Sequence, residues 1–509
     1  MTDRRTVLAG LAALPTIAAT RGDPVATTRG GRVRGLRDRG VLVFKGIRYG
    51  TTPRRFARAV AAPAWRHVAD ATSYGAASPQ TRATEPTAED CLFLNIWTPG
   101  LDAARRPVMV YLHGGAHSHG SGSDPLTDGT NLARRDVVLV TLNHRLAGLG
   151  YCYLAQLGGP PESGNVGNLD IVLALRWLRD NIANFGGDPN CVTVFGQSGG
   201  GAKAVTLMAM PEGRPLIHRV ATMSGQHVTA AGPVHATERA RAFMAKAGAR
   251  SAADLAALPV ERLVEAMAMT DPLEGKGEIS FTSTLDHGVL PRHPFYPDAP
   301  REAAHIPLIV GNTHDETALW IGDIFRRGDT TWENLPARLV ANSVKDVAPD
   351  HVIARYRQLY PARTAGQILL AATTAGRSWP GHLIQAEERA KIGAPTWMYQ
   401  LDYPSPEAGG VLGAFHSLDI GLVFDNTAVP NARTGDDARA RDLATRMADS
   451  FVAFARTGDP GTRGLPAWPR FDLATRATMV FDATCRIEND PRREERLLFA
   501  VAPYIKPGG

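Results

Sequence analysis

Among the 509 residues, the group best suited to covalent chemistry is a serine between glycines, Gly196-Gln197-Ser198-Gly199-Gly200. By itself the pattern also fits a glycine-rich strand-to-helix turn or a phosphate-binding loop. Its flanks favour a nucleophile. Cys191-Val192-Thr193-Val194-Phe195 enters as a strand, and Ala202-Lys203-Ala204-Val205-Thr206-Leu207-Met208 leaves as a helix. A serine in such an elbow sits in a strained backbone conformation that lifts its hydroxyl clear of the sheet. The turn is so sharp that positions 196 and 200 call for glycine. The start of the following helix adds positive potential where negative charge would develop. The chemistry expected is attack of the Ser198 hydroxyl on a carbonyl carbon.

Such an attack needs N–H donors aimed at the tetrahedral oxyanion. Gly199, next to the nucleophile, is one candidate. Others are expected in a glycine-rich loop after an earlier strand, and His113-Gly114-Gly115-Ala116-His117 follows the apolar run Val108 to Leu112. Small residues there let the backbone approach a substrate, so Gly115 and Ala116 are the further candidates. His113, His117 and His119 raise the question of a metal. Their spacing is not that of a helical ligand pair and no HExxH follows, so neither a metal nor a cofactor is expected.

The elements that must position these residues alternate. Strands are expected at 108–112, 137–142, 192–195, 220–223, 307–310, 396–401 and 479–481, as short β-branched or aliphatic runs. A helix is expected over 170–181, and another capped by Thr237 and running through Ala249. This alternation predicts an α/β fold: a large, mostly parallel sheet with helices on both faces. Segments at about 230–300 and 320–390 show helical patterns. They are expected as insertions over the carboxyl ends of the strands, where ligands bind in open α/β sheets.

Composition agrees with a globular enzyme. Hydrophobic residues make up 44% and charged residues 21%, and the net charge of +6 is spread without a basic stripe, which argues against nucleic acid as a partner. Four cysteines (91, 152, 191 and 485) are too few for a disulfide scaffold, and Cys191 reads as a small buried hydrophobe. Arg4-Arg5 before an apolar stretch from Val7 to Ala19 resembles a twin-arginine export signal, too short to span a bilayer. Residues 1–20 are therefore expected to direct export to the periplasm or beyond, and residues 21–509 to form one catalytic domain. No other segment is expected to cross a membrane.

Over about residues 25 to 500 the chain resembles the type-B carboxylesterases, the group of bacterial para-nitrobenzyl esterases and cholinesterases. The matching segments are Phe44 to Gly50, Glu89 to Ile96, His113 to Ser121, Asn143 to Leu146, Asn181 to Pro189, the elbow, and Trp468-Pro469. The resemblance implies the α/β-hydrolase fold and a triad of Ser198, Glu316 and His416, in that chain order. It implies hydrolysis of a small carboxylic ester through an acyl-enzyme, without a cofactor. Rival residues are His314 and His382 for the base and Asp315 for the acid. Ser224 is expected beside the triad, and Glu89, Asp90 and Arg145 in buried ion pairs or turns. The chain departs from the family at Gly199 (usually Ala), His117 (usually aromatic) and Thr317 (usually Gly), and no upstream cysteine is present to pair with Cys91. A binding protein that has given up catalysis, or an amide or carbamate hydrolase with the same triad, are the alternative readings.

Overall fold

The computed structural model describes residues 22–321, 328–343 and 345–504. The proposed export signal lies outside the described residues. One sheet of eleven strands organises the chain. In chain order they are β1 (Leu36–Asp38), β2 (Val41–Arg48), β3 (Phe93–Thr98), β4 (Arg106–Leu112), β5 (Val138–Leu142), β6 (Gly187–Gln197), β7 (Arg219–Met223), β8 (Leu308–Thr313), β9 (Thr396–Leu401), β10 (Ala477–Phe481) and β11 (Arg486–Asn489). Across the sheet they lie in the order 11-10-9-8-7-6-4-5-3-2-1. The stretch from β10 to β5 is parallel throughout, and antiparallel strands close both edges.

The central strands are nearly continuous apolar runs because both faces are covered. Alternation along β4 sends Met109 and Tyr111 to one face, with Phe195, Met223 and Ile309. Val108, Val110 and Leu112 go to the other, with Val192, Val194 and Val220. Two helices on the second face are α1 (Val166–Asn181) and α2 (Gly199–Ala209), which contribute Leu175, Leu178, Val205 and Met208. The first face is covered in part by a helix, α3 (Ala438–Thr457), through Leu443, Met447 and Phe451. Phe195 is wholly buried against the rings of Tyr111, Phe424 and Phe451. Burying a side chain of this kind contributes about 1.5–3 kcal/mol.

Several local expectations need correction. The helix expected from Thr237 to Ala249 runs Pro233–Ala247. Pro233 starts it, because its fixed φ and missing N–H suit the first helical turn, and Thr237 instead donates to the Pro233 carbonyl from inside the helix. Gly248, at φ 84°, ends it before Ala249. The segment at 230–300 is helical only as far as Met267 and irregular beyond, whereas 320–390 carries helices at Leu335–Asn342, Pro349–Leu359, Ala365–Thr373 and Trp379–Lys391. Cys191 is half-buried and polar in its contacts: its thiol donates to Ala455 O and accepts from Arg219. Glu89 and Asp90 pair with Arg55 and Arg48 in partly exposed positions; of the three residues expected in buried pairs or turns, Arg145 alone forms a buried pair, with Asp170. All four cysteines are free thiols. No helix among the described residues is long and apolar enough to cross a membrane.

Candidate active site

Ser198 lies at the carboxyl end of β6, which is flanked by β4 and β7. β6 ends at Gln197, so Ser198 is the turn itself, and α2 begins at Gly199. Ser198 has φ 55° and ψ −124°, a costly conformation held by its N–H donating to Met223 O at 2.7 Å and by the helix that follows. The elbow presses against β4: a Cβ on Gly200 would lie 1.9 Å from Leu112 O, which explains the glycine at this position.

Beyond β4 the chain turns through Gly115 (φ 82°) and Ala116 (φ 54°). Ser118 and His119 donate to Gly115 O, and Gly120 donates to Gln80, so the loop is closed on itself and tied to a neighbouring segment. No acceptor among the described residues takes the N–H of Gly115, Ala116 or Gly199. The Ala116 carbonyl accepts from Lys203 Nζ on α2 at 2.8 Å. A Cβ on Gly199 would lie 1.8 Å from that same oxygen.

Glu316 follows β8 and is wholly buried. Its Oε1 accepts from Ser224 Oγ at 2.5 Å and from Thr313 N at 2.9 Å; its Oε2 is 2.5 Å from His416 Nδ1. Burial alone raises a carboxyl, but here the imidazole and these donors outweigh it, and Glu316 is lowered to about 2. Burial likewise pulls His416 down, yet the Glu316 carboxylate prevails and raises it above its ordinary value. His416 Nδ1–H therefore donates to Glu316, leaving Nε2 with its lone pair. That nitrogen lies 3.1 Å from Gln197 Nε2, whose amide N–H can donate to it. Ser198 Oγ makes no hydrogen bond to His416 in this arrangement. Sequence reasoning placed Gln197 in the elbow but missed this contact.

The loops carrying Glu316 and His416 are joined one residue from each. Asp315 and Phe415 form an isolated parallel bridge, Asp315 N donates to Ala414 O at 2.9 Å, and Ala414 N donates to Asp315 Oδ2 at 3.0 Å. Asp315 is thereby committed to the backbone and to His314 Nδ1. His382 is wholly buried and lowered to about 4, chiefly by burial, with no hydrogen bond to Glu316. A second buried carboxyl, Asp419, lies behind the pair: Tyr399 OH donates to it, and burial raises it to about 6. Among the described residues no group of three or more His, Cys, Asp or Glu side chains is placed to hold a metal. His113 Nδ1 donates to Gly114 O and its ring stacks on His144, while His117 reaches Ser283.

Ser198 opens into a cleft of about 380 Å³ with mixed walls. Both insertions contribute: Glu274, Lys276 and Glu278 from one, Trp320 and Arg377 from the other, with Tyr504 from the C-terminal region. The Trp320 ring sits 5.1 Å from that of His416, and Arg377 lies over Trp320. These residues carry no local sequence signal; only the tertiary fold brings them to the serine.

Comparison with known proteins settles the family. The model of the carboxylesterase family matches residues 22–498. The chain belongs to the carboxylesterase family. Among its relatives, the para-nitrobenzyl esterase of Bacillus subtilis is 33% identical over 497 residues, covering 93% of this chain and 97% of that one. Phenmedipham hydrolase of Pseudarthrobacter oxydans is 31% identical over 93% and 98% of the two chains. A crystal structure of a Geobacillus stearothermophilus carboxylesterase superposes with a TM-score of 0.84 at 35% identity, over 93% of this chain and 99% of that one. The carboxylesterase therefore has the α/β-hydrolase fold and is a carboxylic ester hydrolase. Its departures from the family pattern have local reasons. Thr317 anchors its loop through Thr373 and Thr374 hydroxyls, and His117 packs edge-on against Tyr151 at 4.7 Å in place of an aromatic ring.

Proposed function

We propose that Ser198, His416 and Glu316 carry out a two-step acyl transfer on small carboxylic esters. The observation that supports this most directly is the Glu316–His416 pair, at 2.5 Å, beside a serine held at positive φ. For attack, Ser198 Oγ replaces the Gln197 amide at His416 Nε2, and the imidazole takes the hydroxyl proton as the oxygen bonds to the ester carbonyl. Glu316 fixes the tautomer and stabilises the imidazolium, and Ser224 and Thr313 hold Glu316 in place. The N–H groups of Gly115, Ala116 and Gly199 receive the oxyanion. His416 then protonates the leaving alcohol, and water activated by the same imidazole releases the acid. Ser198→Ala, assayed with para-nitrophenyl acetate and a fluorophosphonate label, tests the assignment. Wild-type turnover in that variant refutes it.

The export reading rests on residues 4–19 alone. Replacing Arg4 and Arg5 together by lysine should hold the enzyme in the cytoplasmic fraction, and unchanged export would count against the twin-arginine route.

A further inference from the structure

Lys203 is the only charged residue of α2 and is wholly buried. Its Nζ has one hydrogen bond, to the Ala116 carbonyl at 2.8 Å. No carboxylate among the described residues pairs with it. The titratable groups that face it are His113 and His119 in the loop after β4, and His144 after β5. Burial lowers all three histidines, His113 to about 3. Beyond them Asp170 on α1 is committed to Arg145 by two side-chain hydrogen bonds. A buried cation without a counter-ion is costly, so its place beside this loop calls for an explanation.

The explanation lies in what Lys203 holds. The Ala116 oxygen is wedged between Lys203 Nζ and the Cα of Gly199, where a methyl group would not fit. Ala116 itself has φ 54°, unfavourable for alanine, so its peptide orientation needs an outside constraint. Both halves of the proposed oxyanion hole, residues 115–116 and residue 199, thus meet at one carbonyl gripped by a lysine. Glycine at 199 and lysine at 203 thus act on the same oxygen.

We propose that Lys203 is the positioning residue of the oxyanion hole: its ammonium clamps the Ala116 carbonyl, aims the loop donors at the tetrahedral oxyanion and adds positive potential behind them. This rests on Ser198 being the nucleophile. Burial lowers Lys203 to about 7, so the clamp is charged at acid pH and loses its charge as the pH rises through neutrality. His416 imposes the acid limb of activity; Lys203 imposes an alkaline limb.

The test is the pH dependence of kcat and KM for para-nitrophenyl acetate in wild type, Lys203→Met and Lys203→Arg, with Ser198→Ala in parallel. The wild type should show an alkaline limb in kcat. Lys203→Met should lose about 10- to 100-fold in kcat near pH 6, with KM within threefold, and its alkaline limb should vanish. Lys203→Arg keeps its charge at all working pH values, so it should retain more activity than Lys203→Met and show no fall above neutrality. Lys203→Met should melt no lower than wild type at pH 6, because it removes an unpaired buried cation. Wild-type kcat in Lys203→Met, or an alkaline limb that persists in it, overturns the proposal. If Lys203→Met does not fold, a wild-type kcat that is flat from pH 6 to 9 overturns it equally. Normal turnover in Ser198→Ala would instead overturn the nucleophile assignment.

Discussion

Restoring the alanine that relatives usually carry after the nucleophile should damage this enzyme. In Gly199→Ala the new Cβ would lie 1.8 Å from Ala116 O, 2.3 Å from its carbonyl carbon and 2.5 Å from its Cα. All three are backbone atoms, so no side chain can swing aside. Reaching even 3.0 Å requires the carbonyl to retreat by 3.0 − 1.8 = 1.2 Å. That movement disturbs the 2.8 Å contact with Lys203 and shifts the Ala116 peptide with it. A displacement of about 1 Å at a reacting centre costs on the order of 10²-fold, and loss of an oxyanion donor about 10²–10³, equivalent to roughly 2.7–4 kcal/mol. Gly199→Ala should therefore lose about 10²- to 10³-fold in kcat on para-nitrophenyl acetate. KM should change little, since the oxyanion forms only after binding. Circular dichroism and a thermal melt establish that the fold survives. A correctly folded Gly199→Ala enzyme with kcat within threefold of wild type refutes the argument, because the carbonyl would then have no need to be where it is.

Two other predictions follow from the polar contacts of the interior. Gln197→Glu puts a carboxylate beside His416 Nε2, now 3.1 Å from the amide, and favours the imidazolium; the acid limb of kcat/KM should move to higher pH, and a profile unchanged or shifted lower contradicts the contact. Asp170→Asn leaves the buried Arg145 guanidinium without its carboxylate and should destabilise the enzyme by about 3–5 kcal/mol in urea unfolding, whereas a loss below 1 kcal/mol would mean the pair is not buried as described.

The central strands were legible because burial on both faces writes an unbroken apolar run into the sequence, as at Val108 to Leu112 and Val192 to Phe195. The edge was not. β2 interrupts its apolar run with Lys45 and Arg48, half-buried over the rings of Tyr74 and Phe93, and so lacks a clean period. The elbow was readable from chemistry alone, since tightness demands glycine on either side of the serine. Glu316 and His416 were not, because nothing local distinguishes a histidine that meets a carboxylate 100 positions away from one that meets solvent. Family resemblance supplied them. Lys203 was read only as part of the helix that leaves the elbow, because its partner, the Ala116 carbonyl, lies 87 positions away. The cleft walls had no such mark, because Trp320, Arg377 and Tyr504 converge only once the insertions are laid over the sheet.

The bridge between Asp315 and Phe415 separates two design problems that an enzyme usually has to solve together. The loops carrying Glu316 and His416 are registered by Asp315 N donating to Ala414 O and Ala414 N donating to Asp315 Oδ2, and those bonds do not involve Trp320, Arg377 or the segment at 274–278. Randomising wall positions other than Trp320, whose ring packs against His416, therefore leaves this registration alone, so a library aimed at new acyl or alcohol groups can spend its diversity on recognition while inheriting the proposed reaction centre.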